Sequence, residues 1–292
     1  MKILVSGWFS FEQMGATAGD LYTRDMVCQW LANAGVPYDI ALDSPFSGGL
    51  DWKETDPASY SHVIFVCGPF GNGWPVTDFL SRFSGTRLIG INLSMLQSLE
   101  EWNPFDLLLE RDSTRRNNPD LVFLSEKPLV PVVGKILVEP QKEYRGKAKH
   151  QQANELIAEL LAKQPCAVVP IDTRLDVPDR GGLRSPEEIE SLIARMDLVV
   201  TTRLHGMVLA LKNGVPALVI DAIRGGAKIT KQAQTIQWPN VLMIDELSEE
   251  KLQEGFEYCL TDEAREKALR CRKSAIDSLN HYENALIDFL MG

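Results

Sequence analysis

The sequence predicts an α/β protein built from two doubly wound, Rossmann-like domains. Three observations carry this. Residues 2–42 run strand, loop, helix, strand; residues 197–221 do so again; and between these halves Pro128, Pro131 and Gly134 interrupt the pattern. The expected domains are residues 1–130 and 135–292, with residues 127–134 as the linker. No internal sequence repeat is visible, although two α/β units of similar layout are implied.

Composition agrees with such a fold and narrows the function. A chain of 292 residues suits one large or two ordinary domains, and 45% hydrophobic residues are enough for a sizeable core. A net charge of −10 argues against nucleic-acid binding, which needs clustered Lys and Arg. Cysteines fall at 28, 67, 166, 259 and 271, odd in number and without Cys-x-x-Cys spacing, so neither a disulfide framework nor a zinc site is expected. The opening apolar run ends at Gly7, too short for a signal h-region, and no segment approaches the roughly 20 apolar residues that span a bilayer. A reduced, cytoplasmic protein without a transmembrane segment is the expectation, with peripheral membrane contact left open.

In the first domain the expected elements are a strand over 2–6, a Gly- and aromatic-bearing loop over 7–19, a helix over 21–34 and a strand over 36–42. The loop glycines at 7, 15 and 19 do not fit the Gly-x-Gly-x-x-Gly dinucleotide spacing, so no nicotinamide cofactor is expected. Asp20 stands where a helix-capping residue would. A strand over 62–67 leads into a glycine-rich turn over 68–73, followed by a helix over 74–83 and strands over 87–93 and 105–110. Trp8, Phe9, Phe70 and Trp74 fall on loops where aromatic rings could stack on a sugar, with core packing the expected role for at least half of them.

The second domain starts with a strand over 135–138, ended by Glu139-Pro140-Gln141-Lys142 at a crevice position. A helix over 148–163 and a strand over 167–171 follow, with Asp172 at the strand's end. His150 and His281 lie among polar helical residues and receive no role. Ser185, Pro186 and Glu188 form a strong helix start: a capping serine, proline in the first helical position, and a glutamate three residues after the cap. After Asp221 a turn over 223–228 precedes a helix over 229–237, a strand over 241–244 and two or more helices over 247–290.

Residues 197–221, DLVVTTRLHGMVLALKNGVPALVID, hold the densest chemistry. A short run rich in Val and Leu stops at an expected turn, Arg203-Leu204-His205-Gly206; a helical pattern follows; Asn213-Gly214 closes it; and Pro216 opens a second apolar run. In open parallel sheets the ligand crevice lies outside the carboxyl ends of the strands, where helix N-termini offer free N–H groups to anions. Arg203 and His205 sit at that end.

The run from 185 to 221 resembles the signature of the polysaccharide pyruvyl transferase family, in which Arg-Leu-His-Gly follows an apolar strand and precedes Ala-x-x-x-Gly-x-Pro, here Ala210, Gly214 and Pro216. Weaker echoes of the family are Gly19-Asp20, the glycine-rich turn at 68–73, the Arg111-Asp112-Ser113-Thr114 and Pro119-Asp120 segments, and Lys228 after the last crevice strand. The resemblance implies two domains facing across a cleft, a GT-B-like architecture. It also implies transfer of a pyruvyl group from phosphoenolpyruvate to two hydroxyls of a glycan or glycan-lipid acceptor, giving a ketal.

On that reading Arg203 holds one anionic group of the donor and the helix N-terminus after Thr202 holds the other. His205 is the expected general acid, aided by Lys228 near the leaving phosphate, and Asp20 is a base or acceptor ligand from the first domain. Gly206, Gly7 and Trp8 complete the expected substrate-binding set. No cofactor or metal ligand is expected, and the sequence says nothing of oligomeric state. Two other readings stand beside this one: a GT-B glycosyltransferase using a nucleotide sugar, whose diphosphate could use the same Arg203, and a non-catalytic carbohydrate-binding relative.

Overall fold

A computed structural model describes residues 1–138, 148–175, 182–226 and 228–292. The stretch Glu139-Pro140-Gln141-Lys142 and Ala227 of the turn before Lys228 lie outside the described residues. The chain divides into two compact units, Met1–Lys127 and Pro128–Gly292.

The first unit comprises β1 (Ile3–Gly7), α1 (Ala18–Asn33), β2 (Tyr38–Ile40), β3 (His62–Phe70), α2 (Val76–Arg82), β4 (Arg87–Met95) and β5 (Leu107–Leu109). Its strands are parallel and lie in the order β2-β1-β3-β4-β5. Both faces are covered, as parallel sheets require. On one, Leu4, Phe65, Phe70, Phe79 and Phe83 form an aromatic core; on the other, Ile3, Val5, Ile64 and Val66 pack with Phe9 and Val27. The alternation of Ile3, Leu4 and Val5 between the two cores is the period-2 pattern of a doubly buried strand.

The second unit comprises β6 (Val132–Ile136), α3 (His150–Lys163), β7 (Ala167–Pro170), α4 (Pro186–Ile193), β8 (Leu198–Thr201), α5 (Leu204–Lys212), β9 (Ala217–Asp221), α6 (Lys228–Ile236), β10 (Val241–Met243), α7 (Glu249–Cys259), α8 (Asp262–Leu279) and α9 (Tyr282–Met291). Its parallel sheet runs β10-β9-β8-β6-β7. The predicted cap of α4 is present, with Glu188 N donating to Ser185 Oγ at 3.3 Å. Counted in chain order, each unit places its strands 2-1-3-4-5, so each has its topological switch point between its first and third strands. Two Rossmann-like, doubly wound units are therefore what the chain forms.

Three local expectations are corrected. Residues 68–70, read as turn, continue β3, with Gly68, Pro69 and Phe70 in register with Leu93, Ser94 and Met95. Gly134, read as a linker break, is the centre of β6, paired with Val169 of β7 and Val199 of β8; a Cβ there would meet Met196 Cγ at 3.0 Å and Val199 Cγ2 at 3.2 Å. Arg203-Leu204-His205-Gly206, read as a turn, is the cap and first turn of α5, with Arg203 as N-cap in an extended conformation.

Candidate active site

In the second unit the site grows from the end of β8. Thr201 Oγ1 donates to Ile136 O at 2.7 Å and accepts from Arg203 N at 2.9 Å, which ties β8 to β6 and fixes where α5 begins. A Cβ on Gly206 would collide with Thr201 Oγ1 and stand 3.0 Å from Ile136 Cγ2. Glycine is thus what lets the first turn of α5 lie against the strands. The neighbouring Thr202 hydroxyl accepts from Val138 N at 2.8 Å.

Around this turn lies a cavity of about 170 Å³, lined by Val138, His150, Thr202, Arg203, Leu204, His205, Asp221, Ile223, Lys228 and Ile229. Four of the expected residues, Thr202, Arg203, His205 and Lys228, therefore come together, while Gly206 supports the wall from behind. His205 and Lys228 are exposed, and the Arg203 side chain is 16% exposed. Arg203 Nη2 donates to Leu137 O at 3.3 Å and lies 3.8 Å from Asp172 Oδ1. Burial disfavours the charged form of Asp172, but the Arg174 N–H and the guanidinium groups of Arg174 and Arg203 outweigh it and hold the carboxyl below the usual range.

Asp221, at the end of β9, is fully buried; its Oδ2 accepts from Thr230 N at 3.1 Å and Thr230 Oγ1 at 2.7 Å, and its Oδ1 from Ile223 N at 3.3 Å. It pins the first turn of α6 and so places Lys228. Two cationic side chains, Arg203 and Lys228, and the first-turn N–H groups of nine-residue α5, which lack partners inside the helix, give the cavity the character of an anion site.

His150 is the residue that sequence reasoning missed. It is 5% exposed and lines this cavity, at the start of α3. The signal was available: residues 150, 153, 157, 160 and 161 share one helical face, and all five are buried. Burial first, with Arg203 and Lys228 adding to it against Asp221, pushes the His150 pKa down and favours the neutral ring.

In the first unit a cavity of about 480 Å³ sits at the corresponding switch point, lined among others by Trp8, Thr17, Asp20, Cys67, Gly68, Arg111 and Asp120. Trp8 Nε1 donates to Pro69 O at 3.1 Å, and a Cβ on Gly68, at φ +80°, would strike the indole. Asp20 Oδ2 accepts from both Thr17 N and Thr17 Oγ1 at 2.7 Å, so it caps α1 as well as lining the cavity. Arg111 Nη1 donates to Asp120 Oδ2 at 2.9 Å and Arg111 Nε to Asp112 Oδ2 at 3.1 Å; Arg111 Nη2 also donates to Ser94 Oγ. The Arg111 charge is thus met by acceptors of its own unit.

Gly7 is not among the residues lining that cavity; a Cβ there would meet the Phe9 ring at 2.6 Å and Val66 O at 2.8 Å, so its glycine answers to packing. Of the four aromatic residues singled out, Phe9 and Phe70 are wholly buried, Trp74 is exposed and Trp8 alone lines the cavity. Among the described residues, no three His, Cys, Asp or Glu side chains are grouped to hold a metal ion, and no helix is long and apolar enough to cross a membrane.

Residues 115–222 match the family model for polysaccharide pyruvyl transferase, which supports a transferase and contains Arg203, His205, His150 and Asp221. No curated protein matches the sequence. Solved structures that align along the chain include the calicheamicin glycosyltransferase CalG4 (13% identity, 95% of this chain and 94% of that one, TM-score 0.36) and the spinosyn forosaminyltransferase SpnP (13% identity, 99% of each chain, TM-score 0.37). Another is the UDP-GlcNAc 2-epimerase of Methanocaldococcus jannaschii (11% identity, 96% of this chain and all of that one, TM-score 0.33).

Proposed function

From the pyruvyl transferase match over residues 115–222, we propose that this chain transfers a pyruvyl group from phosphoenolpyruvate to two hydroxyls of a glycan or glycan-lipid acceptor. The observation that carries the reading is the convergence of Arg203, Lys228, Thr202 and the first turn of α5 on one small cavity. Phosphoenolpyruvate brings a carboxylate and a phosphate, and the cavity offers a guanidinium, an ammonium and a helix N-terminus to meet them.

The reaction needs a proton at the donor methylene, which makes C2 electrophilic. His205, exposed on the first turn of α5, is the group to supply it, since an imidazole can both give and take back a proton. The two acceptor oxygens then bond to C2, the bond from C2 to the phosphate oxygen breaks, and phosphate leaves. Of the two hydroxyl protons, one replaces the proton His205 gave and the other leaves with phosphate. Lys228 stands ready to balance the leaving charge.

The cavity of the first unit suits a hydroxyl-rich ligand, with the Trp8 ring as an apolar wall and Asp20 and Asp120 as acceptors. A nucleotide sugar is the competing donor. The donor cavity of about 170 Å³ is well below the roughly 300 Å³ at which pockets for drug-sized ligands begin, which favours a small acid.

Calorimetric titration of phosphoenolpyruvate into the wild type and into Arg203→Ala tests the proposal. Saturable binding that the substitution abolishes is expected. A wild type that binds a nucleoside diphosphate and not phosphoenolpyruvate would overturn it.

A further inference from the structure

We propose that His150 is a substrate-contacting residue of the second unit's cavity, its ring N–H donating to an oxyanion of the bound donor. The inference rests on the pyruvyl-transfer reading for the identity of that donor, and on geometry for the contact itself.

Both ring nitrogens of His150 are buried and neither has a hydrogen-bond partner among the described residues. The residue is 5% exposed, so its ring is shielded from bulk solvent. A buried imidazole with two unmet polar atoms costs stability unless something fills the gap; of the two cavities that His150 lines, the one shared with Arg203 and Lys228 is where an anionic ligand would do so. The two residues before α3 fix where the helix starts: Lys149 N donates to Ala222 O at 2.8 Å, and Ala148 bridges to Ile223, which fastens the start of α3 to the segment following β9.

The charged and titratable groups that line the cavity beside His150 are Asp221 at the end of β9, Arg203 and His205 at the start of α5, and Lys228 at the start of α6. Asp221 has its oxygens turned to Thr230 and Ile223. Arg203 and Lys228 work against a second positive charge, and with burial they keep the imidazole neutral while the cavity holds no anion. A neutral ring has one N–H to give. Arrival of a dianionic phosphate reverses the local field, and the ring then gains a proton and becomes a charged donor. His150 thereby matches the protonation of the site to the charge of the ligand without presenting an unpaired buried cation beforehand.

The test uses the full chain, with phosphoenolpyruvate and inorganic phosphate as separate probes, in buffers of low and high ionisation enthalpy. Wild type is expected to bind phosphoenolpyruvate with net proton uptake. His150→Leu should bind it about tenfold more weakly or worse. His150→Gln, which keeps an N–H donor and cannot titrate, should bind within about threefold of wild type with the uptake diminished. If His150→Leu does not fold, the uptake of His150→Gln decides. Wild-type affinity in His150→Leu, or undiminished uptake in His150→Gln, overturns the proposal while leaving the donor reading intact. Wild type that ignores phosphoenolpyruvate but takes up inorganic phosphate in a His150-dependent way sinks the donor and upholds the contact.

Discussion

Thr201 and Gly206 touch across the start of α5: the threonine hydroxyl accepts the Arg203 N–H, and the glycine has no side chain because that hydroxyl occupies the space. One contact thus sets both the register of the helix and the direction in which Arg203 leaves it. Gly206→Ala should cost about 1–3 kcal/mol by overpacking and should weaken phosphoenolpyruvate binding more than its stability loss explains. Urea denaturation beside calorimetric titration separates the two, and a stable variant with unchanged affinity would remove Gly206 from the site.

His205 can be separated from the fold because it is exposed. His205→Ala should melt within a few degrees of wild type. If it gives the methylene its proton, turnover should fall about 10²–10⁴-fold, followed as phosphate released from phosphoenolpyruvate in the presence of a diol acceptor. Normal turnover by the folded variant would assign the proton to another group.

Asp20 has two roles that substitutions can divide. Asp20→Ala removes the acceptor for Thr17 N and Oγ1 and should cost about 0.5–2 kcal/mol from the lost cap alone. Asp20→Asn keeps an oxygen that can accept the Thr17 N–H and should recover most of that stability. If Asp20→Asn is stable and inactive, the carboxylate serves the acceptor; if stable and active, it is a cap and nothing more.

The halves of this chain were legible where local composition decides structure. Residues 197–221 read as strand, helix and strand because the Val and Leu run is short, the helical run is closed by Asn213-Gly214, and Pro216 restarts the chain. Gly134 misled because glycine usually weakens a strand, and only its pairing with β7 on one side and β8 on the other keeps it in one here. His150 was hidden by its polar neighbours, although its spacing to Ala153 and Ile157 places it on the buried face. The Arg111 and Asp120 network was out of reach, since Asp120 is also held by Asn92, which adopts positive φ, as does Cys67 on the adjacent strand. Cys67 carries no local signal for such a bend, and Asn92, a type that tolerates it, is masked by the apolar run around it.

Acid should weaken the first unit through Glu110. Two bonds from the Arg115 guanidinium, at 2.8 and 2.7 Å, outweigh burial and hold the Glu110 carboxyl down at about 2 from an ordinary 4.5. A depressed folded pKa stabilises above the unfolded value and loses that contribution as pH falls toward the folded one. The loss should therefore run from about pH 5 to about pH 2 and amount to something on the order of 1 kcal/mol, because Arg115 is half exposed. Denaturation midpoints of wild type and Glu110→Gln over that range check it: the variant should start lower at pH 7 and fall less steeply.

Asn92 gives a test in which removing more atoms should do less harm. Its φ is +57°, its amide donates to Asp120 Oδ1 at 3.1 Å and to Cys67 Sγ at 3.2 Å, and its carbonyl accepts from Leu121 N at 3.1 Å. Asn92→Ala and Asn92→Gly both lose these bonds, but alanine must also hold a left-handed backbone, a strain of about 1 kcal/mol that glycine escapes. Both should be destabilised, with alanine the worse by roughly that amount in urea denaturation. An alanine variant as stable as the glycine one would mean that β4 relaxes out of its bend once Asn92 lets go of Asp120, and the wall that Arg111 and Asp120 give the first cavity should then be lost with it.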